Sequence, residues 1–302
     1  MRSVLLLVNP YSGRGRGKRL APHLAELISS LGFEVDLYLA EQPGTIEQRS
    51  AEAKEGQIIA VMGGDGTVNA VVHGLNSRKV PILVLPFGTA NVVAKELNLS
   101  RDPLKAALTL KSYSIVDWDI AWCGDKPVVF SLSAGFDAYV VHRMAESRNG
   151  GHCSFVSYIA PSMKTMFGFR PHPIEISVDG EPLSEKSYYF LAINCKRYAG
   201  DFLVAPQAST CDGRFDLMTL ASSSLCDHIR YITVALSGKM SKMRDVRLGT
   251  FVNLRAESPG KVPVQIDGEA AGFLPVTIET RPSSCCFLVP RSCEAADDAA
   301  AC

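Results

Sequence analysis

Gly63-Gly64-Asp65-Gly66-Thr67 sits directly after the apolar run 58–62 and directly before a helical pattern that begins at Val68 and Asn69. Glycines in a strand-to-helix turn let backbone N–H groups approach an anion with no Cβ in the way, and the following helix adds its positive end. The segment has the make-up of a phosphate cradle. Asp65 is placed there to hold a metal that bridges phosphates, or to orient a hydroxyl. Two further turns share this placement: Asn9-Pro10-Tyr11-Ser12-Gly13 after the first apolar run, and Pro86-Phe87-Gly88-Thr89-Ala90-Asn91 after the fourth. In a parallel sheet the carboxyl ends of the strands face one crevice, so three polar glycine turns are expected to converge on one site. No Gly-x-x-x-x-Gly-Lys-Ser/Thr stretch occurs, and Gly13-Arg14-Gly15-Arg16-Gly17 lacks dinucleotide spacing. A P-loop enzyme and a dinucleotide-dependent dehydrogenase are therefore disfavoured.

The elements that must carry these turns alternate in type. Strand patterns at 4–8, 34–39, 57–62 and 82–85 are separated by helical patterns at 19–31, 47–54 and 68–75, and the short connections fit a parallel sheet covered on both faces. From about residue 116 the texture changes to short β-like runs at 128–133, 174–178, 188–194, 215–221, 252–256, 264–266, 276–280 and 286–289. Gly, Pro, Asp and Asn turns between them predict an antiparallel sandwich or sheet. Helices are expected at 139–146, 158–167 and 225–236, and a mobile loop at 147–154. The expected division is an α/β domain over 1–120, a β-rich domain over 121–290 and a frayed tail over 291–302.

Composition bounds the function. The 302 residues include 47% hydrophobic side chains, enough for two cores, and Lys+Arg and Asp+Glu balance at 31 each. No overall basic excess marks a nucleic-acid binder. The apolar opening at 4–8 is too short to span a bilayer, and Asn9-Pro10 ends it, so a cytoplasmic protein is expected. The scattered, odd-numbered cysteines read as reduced thiols rather than a disulfide framework, and no zinc-type spacing is present. His142, His152 and His172 have no partner spacing and read as surface or packing residues. Two cationic clusters could meet an anionic surface: Arg14, Arg16, Lys18 and Arg19 near the first turn, and Lys239, Lys242, Arg244 and Arg247 with Met240 and Met243.

Six motifs in order carry a more specific reading. Residues 8–13, 63–69 and 86–91 with Ala94 and Leu97 are similar to the ordered motifs of the diacylglycerol, sphingosine and ceramide kinase family. So are Ser133-Ala134-Gly135-Phe136-Asp137-Ala138, Asp212-Gly213-x-Phe215 and Asp267-Gly268-Glu269. The resemblance spans about 4–290. It implies a phosphofructokinase- or NAD-kinase-like nucleotide domain followed by a mainly antiparallel β-sandwich, with ATP and Mg²⁺ as cofactors and a membrane lipid as acceptor. Asn9, Ser12, Gly63 to Asn69 and Thr89 would then surround the nucleotide, along with Pro10, Tyr11, Gly13, Gly88 and Asn91. Asp267 and Glu269 are the implied base candidates, Glu269 favoured, because an extended chain would turn both carboxylates to one side. Asp212 would hold a structural Mg²⁺.

The resemblance also marks departures. Ala70 stands where family members commonly carry Glu, and Ala40 where relatives often place Thr. The expected activity is transfer of the ATP γ-phosphoryl group to a diacylglycerol-like or sphingoid hydroxyl by a cytoplasmic enzyme touching the membrane transiently. Two alternatives stay open: an NAD kinase-like enzyme with a soluble substrate, which shares the Gly-Gly-Asp-Gly-Thr turn, and a non-catalytic lipid or nucleotide sensor. A homodimer is left open as well.

Overall fold

The computed structural model describes residues 2–13, 15–42, 44–147, 169–198, 202–222, 224, 227, 230–231, 243 and 245–291. The chain divides into two units, one of residues 1–119 with 282–302 and one of residues 120–281.

In the first unit, β1 (Ser3–Val8), β2 (Glu34–Leu39), β3 (Ile58–Gly63) and β4 (Ile82–Pro86) form a parallel sheet in the order β2-β1-β3-β4. The continuous apolar runs of β1, β3 and β4 are buried throughout, as strands covered on both faces require. β2, which has no buried residue, is the edge of this order. The crossovers are α1 (Gly17–Ser30), α2 (Thr45–Ala51) and α3 (Asp65–Leu75), and α4 (Val92–Glu96) and α5 (Pro103–Ala107) follow β4. The α1 helix turns Ala21, Leu24 and Ile28 to the sheet at helical spacing. A long strand, β5 (Tyr113–Cys123), then leaves the unit.

In the second unit the elements are β6 (Lys126–Val128), β7 (Ser131–Ala134), α6 (Phe136–Ser147), β8 (Glu175–Val178), β9 (Glu181–Pro182), β10 (Tyr189–Ile193), β11 (Arg197–Tyr198), β12 (Phe202–Leu203), β13 (Phe215–Leu220), β14 (Val246–Phe251), β15 (Asn253–Glu257), β16 (Pro263–Ile266) and β17 (Glu269–Phe273). The strand β18 (Val276–Pro290) follows them. One antiparallel sheet runs β14-β13-β10-β7-β16-β17. A second layer pairs β8 with β9 and β15, and β15 with the first part of β18. Leu132, Phe190, Phe215, Val264 and Phe251 from the first layer pack with Ile176, Leu254, Ala256 and Ile278 from the second. This face-to-face core is a β-sandwich.

The chain departs from the expected boundaries in definite ways. Residues 282–290, assigned from sequence to the second domain, cluster with the first, because Phe287 pairs in parallel with Ile82 of β4 and meets the Trp118 ring edge to face, with centres 5.1 Å apart. The run 128–133 is two strands, not one. Cys211 is disulfide-bonded, which corrects the expectation of reduced thiols throughout; its partner lies outside the described residues, and Cys123, Cys195, Cys285 and Cys286 are free. Such pairing is set by where segments meet in space, which spacing along the chain does not report. The expected helices at 158–167 and 225–236, the loop at 147–154 and the tail fall wholly or mostly outside the described residues, as do Arg14, His152, Lys239, Met240, Lys242 and Arg244. Among the described residues, no helix is long and apolar enough to cross a membrane.

Candidate active site

Three turns at the carboxyl ends of β1, β3 and β4 meet in the first unit. Asn9 Nδ2 donates to Thr67 Oγ1 at 3.2 Å, joining the first turn to the second, while Asn9 Oδ1 accepts Tyr11 N–H at 3.0 Å. Phe87 N–H donates to Gly63 O at 2.8 Å, and Val93 N–H to Asp65 Oδ1 at 3.2 Å, which joins the second turn to the third. Arg16 Nε donates to Gly13 O at 3.1 Å, and its guanidinium lies 5.8 Å from the Phe87 ring centre, bracing the first turn against the third.

Glycine is required at the points of closest approach. A Cβ on Gly88 would lie 2.5 Å from Gly64 Cα, one on Gly63 would lie 2.3 Å from Thr67 Oγ1, and one on Gly13 would enter the Phe87 ring at 2.4 Å. Asn91 at φ 49° closes the third turn in a ring: its Oδ1 accepts Gly88 N–H at 2.9 Å and its Nδ2 donates to Gly88 O at 3.0 Å. The α3 helix begins from Gly64 without a side-chain cap, so its N-terminal end faces this hollow of backbone. A pocket beside the third turn is lined by Thr89, Asn91, Lys95 and Arg101 together with Pro86, Ala90, Ala94 and Leu99. Backbone N–H groups, a helix start and two cations suit a polyphosphate.

The individual residues differ in what they offer. Gly66, Thr89 and Tyr11 are exposed, and Asn9, Pro10, Gly13, Gly64, Asn69, Gly88 and Asn91 are half-buried. Ser12 is buried, and Val68 belongs to the core, which leaves their side chains little to present. Burial pushes the Asp65 carboxyl above the ordinary carboxylate range; N–H groups of Val92, Val93 and Asn91 and the charge of Lys95 pull it back. Asp65 thus anchors the start of α4 to the second turn. The sequence does not flag Lys95, since α4 is too short to show a period, or Arg101, which lies in the segment between α4 and α5.

The acidic candidates lie in the second unit, and here the extended-chain expectation is corrected. Asp267 and Gly268 both have positive φ, 50° and 84°, and Ile266 pairs with Glu269, so Asp267-Gly268 is a two-residue hairpin turn. The turn sends the two carboxylates apart. Asp267 is buried, and its oxygens accept N–H groups of Val129 at 2.9 Å, Phe130 at 3.0 Å and Ser131 at 2.9 Å. It clamps the break between β6 and β7, which is why 128–133 is not one strand, and its lone pairs are spent on backbone. Glu269 is exposed. Asp212 is exposed and accepts Arg214 N–H at 3.0 Å; its charge helps burial to push the Asp216 carboxyl upward, and Gln207 holds Asp216 at 2.9 Å. Two neighbouring carboxylates suit a hard cation that keeps several waters. Among the described residues no three His, Cys, Asp or Glu side chains group as metal ligands. Of the second cationic cluster, Arg247 is engaged by Glu185 through two contacts, at 2.7 and 3.1 Å.

Residues 3–123 match the family model described as the diacylglycerol kinase catalytic domain, and residues 130–289 match the YegS C-terminal NAD kinase beta sandwich-like domain. A diacylglycerol kinase of Bacillus subtilis (strain 168) is 29% identical over 295 residues, covering 91% of this chain and 92% of the relative. One from Staphylococcus carnosus (strain TM300) is 27% identical over 274 residues, covering 89% of each. Among solved structures, a diacylglycerol kinase from Bacillus anthracis str. Sterne superposes with a TM-score of 0.76 at 20% identity, covering 95% of this chain and 96% of the other, a likeness of fold. With these two family matches together spanning nearly the whole chain, and diacylglycerol kinases aligned over about nine-tenths of it, the chain belongs to the diacylglycerol kinase-like family.

Proposed function

We propose that this chain is an ATP-dependent lipid kinase that transfers the γ-phosphoryl group to the hydroxyl of a diacylglycerol-like or sphingoid lipid at a membrane surface. The observation that carries the reading is the glycine cradle, in which a Cβ on Gly88 would lie 2.5 Å from Gly64 Cα and one on Gly13 2.4 Å from the Phe87 ring, so the three turns meet where a Cβ would not fit. Asn9, Thr67, Gly66 and Thr89 line the nucleotide, and Lys95 and Arg101 offset phosphate charge. The P–O bond to ADP breaks as the bond to the lipid oxygen forms, and the hydroxyl proton goes to Glu269. Glu269 takes this role rather than Asp267 because it is exposed while Asp267 is tied to three N–H groups. Mg²⁺ supplies charge neutralisation at the phosphates, and Asp212 with Asp216 would hold a structural Mg²⁺ in the second unit. Exposed Arg16, Lys18 and Arg19 provide cationic contact with anionic headgroups.

The test is incubation with γ-labelled ATP, Mg²⁺ and vesicles carrying diacylglycerol, sphingosine or ceramide, with NAD as a separate acceptor. Label in the organic phase is expected with wild-type protein, and Glu269→Gln should lower the rate by roughly 10²–10⁴-fold. No labelled lipid from any vesicle would overturn the proposal, and labelled NAD would replace it with the soluble-substrate reading.

A further inference from the structure

Behind the Asp267-Gly268 turn lies a chain of polar groups that the proposed reaction leaves unused. Gln265 on β16 and Ser133 on β7 have no exposed surface. Gln265 Oε1 accepts Gly268 N–H at 2.7 Å, and Gln265 Nε2 donates to Ser133 Oγ at 2.9 Å and to Tyr198 OH at 3.3 Å. Both hydroxyls then donate to one oxygen of Asp137, Ser133 at 2.7 Å and Tyr198 in a shorter contact. Tyr189 OH approaches the same oxygen at 3.4 Å, and Ala138 N–H donates to the other at 2.7 Å.

The direction of this chain follows from its last member. Burial pushes the Asp137 carboxyl upward, and Tyr198, Ser133, Ala138 and Tyr189 pull it back by donating to it. As the carboxylate that these four donors favour it only accepts, so the single protons of Ser133 and Tyr198 are spent on Asp137, and each hydroxyl has only lone pairs left for Gln265. The amide must therefore turn its NH₂ toward the hydroxyls and its oxygen toward Gly268. Reversing any link would set donor against donor in a buried site, where an unmatched group is costly.

We infer that Asp137 and Gln265 are positioning residues for Glu269: the carboxylate fixes the orientation of the amide, the amide oxygen holds Gly268 N–H, and the held turn sets how the next residue is presented. The inference rests on the reading of Glu269 as proton acceptor. Asp137 and Gln265 touch neither substrate nor nucleotide in this scheme and act only through the turn.

Steady-state kinetics on diacylglycerol vesicles test it with Asp137→Asn, Gln265→Met and the milder Tyr198→Phe, each also placed in the Glu269→Gln background. Asp137→Asn introduces a donor that reverses the chain, and Gln265→Met removes the bond to Gly268. Both should lower kcat on the order of tenfold to a hundredfold with KM for ATP unchanged, and Tyr198→Phe by less. On the residual rate of Glu269→Gln the same changes should have less than about a twofold effect, because residues acting through one group are not additive. Wild-type kcat in folded variants, or an equal loss in both backgrounds, would overturn the inference. Failure of all three variants to fold would overturn it too, since the network would then serve stability rather than placement. If Glu269→Gln itself kept full rate, the proposed role of Glu269 would fall first and take the inference with it. An inactive Glu269→Gln beside fully active network variants would remove the inference alone.

Discussion

Asp267 has a counterpart that explains it. Asp179-Gly180, like Asp267-Gly268, has both residues at positive φ, 50° and 92°, between paired Val178 and Glu181. There too the carboxylate reaches a neighbouring strand: Asp179 Oδ1 accepts the N–H groups of Val252 at 3.0 Å and Asn253 at 2.8 Å, and Oδ2 accepts Arg214 at 2.9 Å. Two hairpins with one device argue that Asp267 is a clamp. Asp267→Asn should then cost about 2–3 kcal/mol, because the new NH₂ faces the buried Val129 N–H, and denaturant unfolding measures it. The rate of the folded fraction should fall by less than that of Glu269→Gln, since a loosened turn displaces the proposed proton acceptor without removing it. For Asp179, the N–H of Asn253 leads the groups that hold its carboxyl below the ordinary range. A depressed folded value means that its contribution is fully present above the unfolded value near ~3.9 and is lost as pH falls through the folded one. Urea midpoints of wild-type and Asp179→Asn should accordingly differ at neutral pH and converge as the pH falls well below the ordinary carboxylate range; a difference that persists there would refute the assignment. Asp-Gly dipeptides favour turns, but which way each carboxylate points depends on a strand far along the chain, 73 residues away for Asp179 and 136 or more for Asp267.

At the scale of elements, the glycine turns could be read ahead of the structure because their cause is local. Alternation of strand and helix patterns placed β1 to β4 and the first three helices within a few residues, and each turn fell where a strand must hand over to a helix. The closeness of Gly88 to Gly64 was not legible, since it depends on how two neighbouring strands end. Gly88→Ala must push its turn away from Gly64, so KM for ATP should rise roughly tenfold or more. Asn91→Ala, which opens the ring around Gly88 without adding bulk, should raise it less. Nucleotide titration by calorimetry checks both, and unchanged affinity in a folded Gly88→Ala would show that the approach of the two turns is immaterial to binding. Among the elements missed altogether were β5, β14 and β17. Residues 113–123 carry Asp117 and Asp119 on either side of Trp118, which reads as a boundary. Asp119 is nevertheless fully buried and accepts Ser283 N–H at 2.7 Å, a partner that only the return of the chain supplies.

That return governs the molecule as a whole. Both β5 and β18 belong partly to each unit, so the first unit is discontinuous: the chain leaves it after Asp119 and re-enters at Pro282. Sequence reading split β18 into two strands, at 276–280 and 286–289, because Arg281-Pro282-Ser283-Ser284 resembles a turn; pairing on either side keeps it extended. Re-entry buries Cys285, Cys286, Phe287 and Leu288, with Phe287 and Leu288 fully enclosed. Burying two such side chains contributes about 1.5–3 kcal/mol each, against a total of about 5–15 kcal/mol for a domain. Ending the chain after Arg281 should therefore unfold the first unit while the strands of the second keep their partners. Limited proteolysis with mass-spectrometric mapping should show cleavage throughout 2–119 and a protected core within 120–281, and ATP binding should disappear with it. Equal protection of both halves in the shortened chain would mean that the four parallel strands stand without their fifth.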